Sequence, residues 1–435
     1  MDDAGMSTGK KDAAGPTDAS RGPVRIITAD RHQVELRAFD LESTLPADHR
    51  ARALWSMVEK MDLSKFYEPI AARGADPGRP AIDPKLLLVL WLYATSDAVG
   101  SAREVARLCV SHDAYRWICG GVSVSYHTLS DFRVDHGGAL DALMTNILAV
   151  LMHTGLVKLR RTAQDGMRVR ASAGASSFRR QPTLERCRTE AGHRVTRLRQ
   201  QLEQADGGAS ATLKERAAAE RAARDREKRL EQALKELPRA QAAKKPKDRE
   251  KARVSTTDPE ARVMKMGDGG FRPAYNMQLN TDVDSRFIVG ATATNAGTDM
   301  AQMIPMLEET ERRTGLRPTE HLVDGGFTKL EAIEQATERG TTVYAPVAAP
   351  RDPSIDPHAP KATDSDVVAE WRTRMATDDA KEIYKQRAAT AETVNADLRC
   401  LRGLDRLLVR GSDKVQCVLL LAAITYNLLR WVAMS

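Results

Sequence analysis

The sequence predicts a mixed α and α/β protein: a helical N-terminal domain, then a mixed sheet with flanking helices, interrupted by a long charged helical hairpin. Three patterns predict it. Apolar residues recur at helical spacing up to about residue 155, they alternate with polar ones from residue 156, and between residues 184 and 253 they thin out while charge dominates. The expected boundaries are a disordered tail at 1–22, a helical and DNA-binding candidate domain at 23–155, a sheet domain at 156–183 and 254–435, and the inserted hairpin at 184–253.

Bulk properties narrow the class. A chain of 435 residues suits roughly two to four domains. It is 42% hydrophobic but only 5% aromatic, so its cores are aliphatic and alanine-rich, which leans helical. The net charge of +7 and pI near 9.1 point to a polyanionic partner. The five cysteines, Cys109, Cys119, Cys187, Cys400 and Cys417, contain no C-x-x-C pair; a disulfide framework or zinc knuckle is not expected, and the pattern suits a reducing cytosol. The small, polar first 22 residues lack the apolar segment of a signal peptide. Val415–Val432 is the one membrane candidate, but Gln416, Asn427 and Arg430 inside it favour a buried amphipathic helix.

In chain order, Leu54, Met57, Val58 and Met61 mark one helix face. Asp83-Pro84 caps the helix that carries Leu86–Tyr93. Ser101-x-x-Glu104 is a capping box opening another, His127–Arg133 starts a short one, and Leu140–Gly155 is the longest. Short helices with exposed arginines resemble a helix-turn-helix reader of DNA; an all-helical packing module fits the same pattern. The Gly74–Pro80 stretch lacks the G-K-[ST] ending of a phosphate loop, so no nucleotide is expected.

Val157–Ala171 alternates like a strand, interrupted at Asp165-Gly166, a turn signature. Residues 184–253 hold 20 Lys/Arg against 12 Asp/Glu, and the rest of the chain 46 against 47, so the whole basic excess lies here. Leu198 and Leu202, then Leu230, Leu234 and Leu237, flank Asp206-Gly207-Gly208, as in two antiparallel helices joined by a turn. This hairpin is either a solvated structure or a clamp on a phosphate backbone. Tyr275–Thr281 and Phe287–Thr294 form a β-hairpin around Asp282–Ser285. A helix from Thr298 to Thr314 follows, with Met300, Met303, Ile304 and Leu307 on one face. Glu320–Val323 is a strand leading into Asp324-Gly325-Gly326. Lys329–Arg339 is helical, Thr341–Pro346 a strand, 347–365 a Pro/Asp-rich loop, and helices at about 377–402 and 414–432 end the chain.

Without the insertion, this is the strand order of a ribonuclease-H-like sheet, whose first and fourth strands are central neighbours. Asp165 on the first, Asp324 ending the fourth and Glu392 on a late helix would then converge. Phosphodiester transfer needs an activated oxygen nucleophile and a stabilised leaving oxygen, which two Mg²⁺ ions about 4 Å apart supply through carboxylate ligands. Glycines after each aspartate (Gly166; Gly325, Gly326) would let the backbone turn sharply and DNA approach. At about 100° per residue, Tyr384, Arg387, Glu392 and Arg399 fall within an arc of about 140° on the late helix. Asp282 and Asp284 read as turn residues, Asp268-Gly269-Gly270 as a loop, and His112, His127 and His136 as surface or packing residues. Glu382 competes with Glu392.

Asp165-Gly166, Tyr275-Asn276-Met277-Gln278, Leu322-Val323-Asp324-Gly325-Gly326-Phe327 and Tyr384-x-x-Arg387-x4-Glu392-x6-Arg399 resemble the insertion-sequence DDE transposases with a Y-R-E-K/R signature. Phe66–Arg133 resembles the N-terminal domain of that family, and the likeness covers about residues 40–432. The resemblance implies a ribonuclease-H-like catalytic domain, catalytic metal ligation by Asp165, Asp324 and Glu392, and DNA contacts by Tyr384, Arg387 and Arg399. It further implies two Mg²⁺ ions (with Mn²⁺ as substitute), terminal inverted repeats and target DNA as partners, a homodimer or larger assembly on DNA, no membrane, and a bacterial cytoplasmic location beside the nucleoid. Two departures stand out. Arg399 replaces the commoner Lys, and Thr393–Leu398 replace an aromatic-glycine pattern. An inactive DNA-binding descendant and a metal-dependent nuclease without strand transfer are the alternatives.

Overall fold

In the computed structural model, residues 40–72, 80–203 and 210–434 are described. The tail at 1–22, residues 74–79 of the glycine-rich loop and the Asp206-Gly207-Gly208 turn lie outside them. Residues Leu41–Ser435 belong to one compact unit.

The first part is helical: α1 (Arg50–Glu59), α2 (Ser64–Tyr67), α3 (Pro84–Ser96), α4 (Ala102–Ser111), α5 (Asp113–Cys119), α6 (Tyr126–Asp135) and α7 (Gly137–His153). Local chemistry sets the starts. Asp83 accepts from the Lys85 amide at 2.8 Å ahead of Pro84, and Ser101 accepts from the Glu104 amide. Helix α3 is apolar almost all round and buried almost all round, as such a helix must be. His112 caps α5 and His136 stacks on Phe66, both structural roles.

A mixed sheet follows. Strand β1 (Arg161–Arg170) runs unbroken through Asp165-Gly166, so the expected turn there is wrong; extended neighbours on both sides carry the pair through. After β2 (Phe178–Arg179), helices α8 (Gln181–Glu203) and α9 (Ser210–Ala242) pack side by side. Gln181 at the start of α8 meets Gln241 at the end of α9, and Leu184, Leu230 and Leu237 share a small core with Val254. Next come β3 (Val254–Ser255), β4 (Arg262–Lys265), β5 (Phe271–Asp282), β6 (Ile288–Thr294), α10 (Met303–Thr314), β7 (Glu320–Leu322), α11 (Leu330–Glu338) and β8 (Thr342–Tyr344). Strand β1 lies between β5, antiparallel, and β7, parallel; β8 pairs parallel with β7. Strands β4 and β6 share the outer side of β5.

Three expectations need correction. Helix α10 begins at Met303 and leaves Met300 exposed. Strand β4 forms where no element is expected from the sequence. A further helix, α12 (Asp366–Ala376), precedes the late helices; Val368, Trp371 and Met375 at helical spacing are its buried stripe. Then follow α13 (Asp378–Arg387), a π-helical turn at Ala388–Glu392, α14 (Thr393–Ala396), a second π turn at Asp397–Leu401, and α15 (Ser412–Met434).

Helix α15 is long and apolar enough to cross a membrane by length and composition, yet most of it is buried in the largest core, against α3, α7 and β6. Three of its polar residues explain this. Asn427 accepts from the Ile288 amide and donates to the Ile288 carbonyl, both at 2.9 Å. Gln416 accepts from the Ala293 amide at 2.7 Å and donates to the Ala291 carbonyl at 3.0 Å. Arg430 donates to the Ser285 carbonyl. Residues 416 and 427 are about three helical turns apart, so one face of α15 satisfies the outer hydrogen-bonding groups of β6. Replacing Asn427 by Leu leaves two buried backbone groups unpaired; a loss of roughly 2 kcal/mol or more is expected in urea unfolding.

A buried polar chain crosses the sheet. His321, fully buried, meets the Thr162 hydroxyl through Nδ1 at 2.8 Å and Gln164 Oε1 through Nε2 at 3.1 Å. The Gln164 oxygen only accepts, so Nε2 carries the proton and the Thr162 hydroxyl donates to Nδ1. Burial lowers the imidazole pKa to about 3. The unfolded chain therefore takes up this proton first, and the stability tied to neutral His321 falls as pH drops below about 6.5 toward about 3. Unfolding midpoints at pH 7 and 4.5 should show a steeper loss in the native chain than in His321→Gln; parallel losses would rule this out.

Candidate active site

Asp165, Asp324 and Glu392 are brought together around one cation. Asp165 is mid-strand on β1, opposite Leu279 of β5. Asp324 lies just past β7, the parallel neighbour of β1, where it caps the turn Gly325–Phe327 through a 2.8 Å bond from the Gly326 amide. Glu392 ends the first π turn. Arg387 reaches all three: Nη2 is 4.0 Å from Asp165 Oδ1 and 3.4 Å from Asp324 Oδ2, and Nη1 is 3.7 Å from Glu392 Oε1. Its side chain is 11% exposed, against 66% for Glu392, and its Nε has no hydrogen-bond partner among the described residues. Burial and nearby Asp324 and Asp299 raise the Asp165 pKa, while Arg387 and the Gly166 amide oppose the rise.

The late helix is positioned by its own bonds to β1. Arg161 Nη1 donates to Gln386 at 2.7 Å, and Asn395 donates to Asp165 Oδ2 at 3.0 Å. A uniform α-helix would turn Glu392 about 140° away from Arg387. The π turn at Ala388–Glu392 corrects this, since its i→i+5 bonding brings the fifth residue back over the first. The arc expected for four residues on a regular helix is thus replaced by a wider turn that performs the same convergence for two of them. Tyr384 is half-buried beside the cluster, and burial raises its hydroxyl pKa, with Arg387 opposing. Arg399 is exposed in the second π turn and has no ion pair or hydrogen bond to the carboxylates. Glu382 pairs with Lys385 on the exposed side, outside the cluster.

Two functional neighbours escaped sequence reasoning. Asn395 orients Asp165 directly. Asp299, in the loop before α10, accepts from Asn276 and Gln278, each at 2.6 Å, and pairs with Arg168 at 3.2 Å. The alternation of Asn276 and Gln278 along β5 was a usable signal; nothing in the sequence marks Asp299. Its place also explains Gly166, which makes no sharp turn. A Cβ there would lie 2.3 Å from Asp299 Oδ1 and 2.5 Å from Gln278 Nε2. Gln278 in turn joins Gln164 at 2.8 Å, so the His321 chain ends at Asp299.

Chemically, one guanidinium answers three carboxylates. Carboxylate oxygens are hard donors of the kind Mg²⁺ accepts, and Arg387 already stands as the cation they surround. Among the described residues no three His, Cys, Asp or Glu side chains are drawn into a metal-holding array.

Residues 39–135 match a family model described as a transposase domain (DUF772), and residues 248–428 match one described as a transposase DDE domain. No curated protein and no solved structure matches the chain. Asp165 lies between the two matched spans and joins Asp324 through the β1–β7 pairing.

Arg387→Gln should leave Asp165 without its facing cation and favour its protonated form. Raised carboxyl pKa values retain stability at low pH and lose it as pH rises through them. A destabilisation of about 1–2 kcal/mol at pH 7, discounted for the exposure of Asp324 and Glu392 and shrinking by pH 4, is expected from denaturant midpoints. Equal losses at both pH values would contradict the charge balance.

Proposed function

This chain belongs to the DDE transposases of the insertion-sequence type, and we propose that it cleaves transposon ends and joins them to target DNA with divalent metal, on a ribonuclease-H-like sheet. The observation that carries the proposal is the gathering of Asp165, Asp324 and Glu392 around Arg387 from three distant parts of the chain. The order β6–β5–β1–β7–β8, with β7 and β8 parallel to β1 and β5 antiparallel, supports the fold reading.

Asp165, Asp324 and Glu392 would hold two Mg²⁺ ions, which when bound supply Lewis acidity to the attacking and leaving oxygens. The protein's own groups set the rest. Asn395 and the Gly166 amide fix the Asp165 carboxylate, and the Gly326 amide fixes Asp324. Arg387 would turn from carboxylates to phosphate oxygens as DNA enters, with Tyr384 beside it and Arg399 further along the backbone. In the first step water attacks phosphorus, the P–O3′ bond breaks, and the leaving oxygen takes up a proton as a free 3′-hydroxyl. In the second that hydroxyl attacks a target phosphodiester. One ester bond replaces another, so no ATP is required. Recognition of terminal inverted repeats falls to the N-terminal helices, and two ends processed together imply a homodimer or larger assembly on DNA.

Asp165→Asn, Asp324→Asn and Glu392→Gln should each reduce Mg²⁺-dependent cleavage of an inverted-repeat duplex by at least about a hundredfold, by the scale for losing a transition-state charge contact. Binding of the same duplex should change little. Cleavage retained in either Asn variant removes that residue from the site; cleavage without joined product from a supplied 3′-hydroxyl end identifies a nuclease instead.

A further inference from the structure

Away from the carboxylates, a groove of about 1070 Å³ lies between the C-terminal end of α9, residues 244–253, β4 and the loop at 295–298. Six cationic side chains line it, Arg180, Arg239, Lys244, Lys251, Arg253 and Arg262, and no carboxylate does. Their partners do not balance them. Arg239 and Arg262 share the buried Glu236, at 2.9 and 2.7 Å, and Lys251 pairs with Asp248 at 2.9 Å. Arg180, Lys244 and Arg253 are exposed and form no ion pair among the described residues. Six positive charges thus meet two negative ones around one concavity, where a single sign of charge concentrates the field.

The groove also leads somewhere. Gly297 and Thr298 are part of its lining. The Gly297 carbonyl accepts from Arg168 at 3.3 Å, and Arg168 also pairs with Asp299 beside the carboxylate site. Arg168 thus ties the 295–298 loop of the groove to Asp299, which in turn bonds Gln278 of β5.

We propose that this groove holds the sugar-phosphate backbone of duplex DNA flanking the cleavage position, with phosphates answering Arg180, Lys244 and Arg253. The contact is sequence-independent, because Arg180, Lys244 and Arg253 are exposed and no side-chain bond among the described residues aims them at base edges. It rests on the reading of DNA as substrate and adds a location to it: the backbone is gripped by the seam where α9, β4 and the 295–298 loop meet.

The test uses the full chain with Arg180, Lys244 and Arg253 all replaced by Ala, and a labelled duplex of arbitrary sequence. Fluorescence anisotropy from about 50 to 200 mM salt gives the slope of log K against log salt, to which each phosphate contact contributes about 0.9. The triple variant should lose about 2.7 from the magnitude of that slope, whereas Arg180→Lys/Lys244→Arg/Arg253→Lys should keep it. Circular dichroism checks folding; if the triple variant is unfolded, each single Ala substitution should lose about 0.9. An unchanged slope in folded Ala variants overturns the groove. Asp165→Asn separates the two readings: native cleavage lost in Asp165→Asn with no slope change in the groove variants leaves the active site standing alone, and a reduced slope with no metal-dependent cleavage by the native chain leaves the groove standing alone.

Discussion

A single guanidinium holds the centre of this protein. Arg387 is nearly buried between Asp165 on β1, Asp324 in the turn just past β7, and Glu392 in the π turn that continues its own helix. Burying like charges near one another is unfavourable unless a countercharge shares the space. The strands, the capped turn after β7 and the late helix must therefore agree on where that countercharge sits. The bonds from Arg161 to Gln386 and from Asn395 to Asp165 lock the helix to β1 on either side of it. Three carboxylates face this one guanidinium, so the cluster carries more negative than positive charge.

The scaffold supports that arrangement by sharing its core. The largest apolar cluster runs from α3 and α7 through α15 to the inner residues of β5 and β6, so the helices that open the chain and the helix that ends it pack as one body with the sheet. On the other side, Asp141 of α7 bonds Arg312 and Arg313 of α10, with the Arg313 side chain fully buried. Displacing the N-terminal helices would disturb the packing beneath β5, against which Asp165 is registered.

Much of this was legible in the sequence because the signals were local. Asp83-Pro84, Ser101-x-x-Glu104 and the alternation in Tyr275–Thr281 and Phe287–Thr294 report backbone preferences that the fold retains. Asp165, Asp324 and Glu392 were legible as an ordered set, each beside a strand or helix pattern. What failed depended on tertiary context. Asp165-Gly166 looked like a turn, yet the glycine serves to admit Asp299 against the strand. Asp299 and Asn395 carry no pattern of their own and gain meaning only from what packs beside them. The spacing from Arg387 to Glu392 misleads on a regular helix, because one widened turn changes which residues face together.

The pairing of α15 with β6 has a consequence for how copies of this chain meet. An open strand margin invites a second chain to add its own strand and continue the ladder. Here Gln416 and Asn427 occupy those positions from a helix belonging to the same molecule. Sheet extension along β6 is closed off by the chain's own last helix, which leaves the strand order around the carboxylates undisturbed on that side.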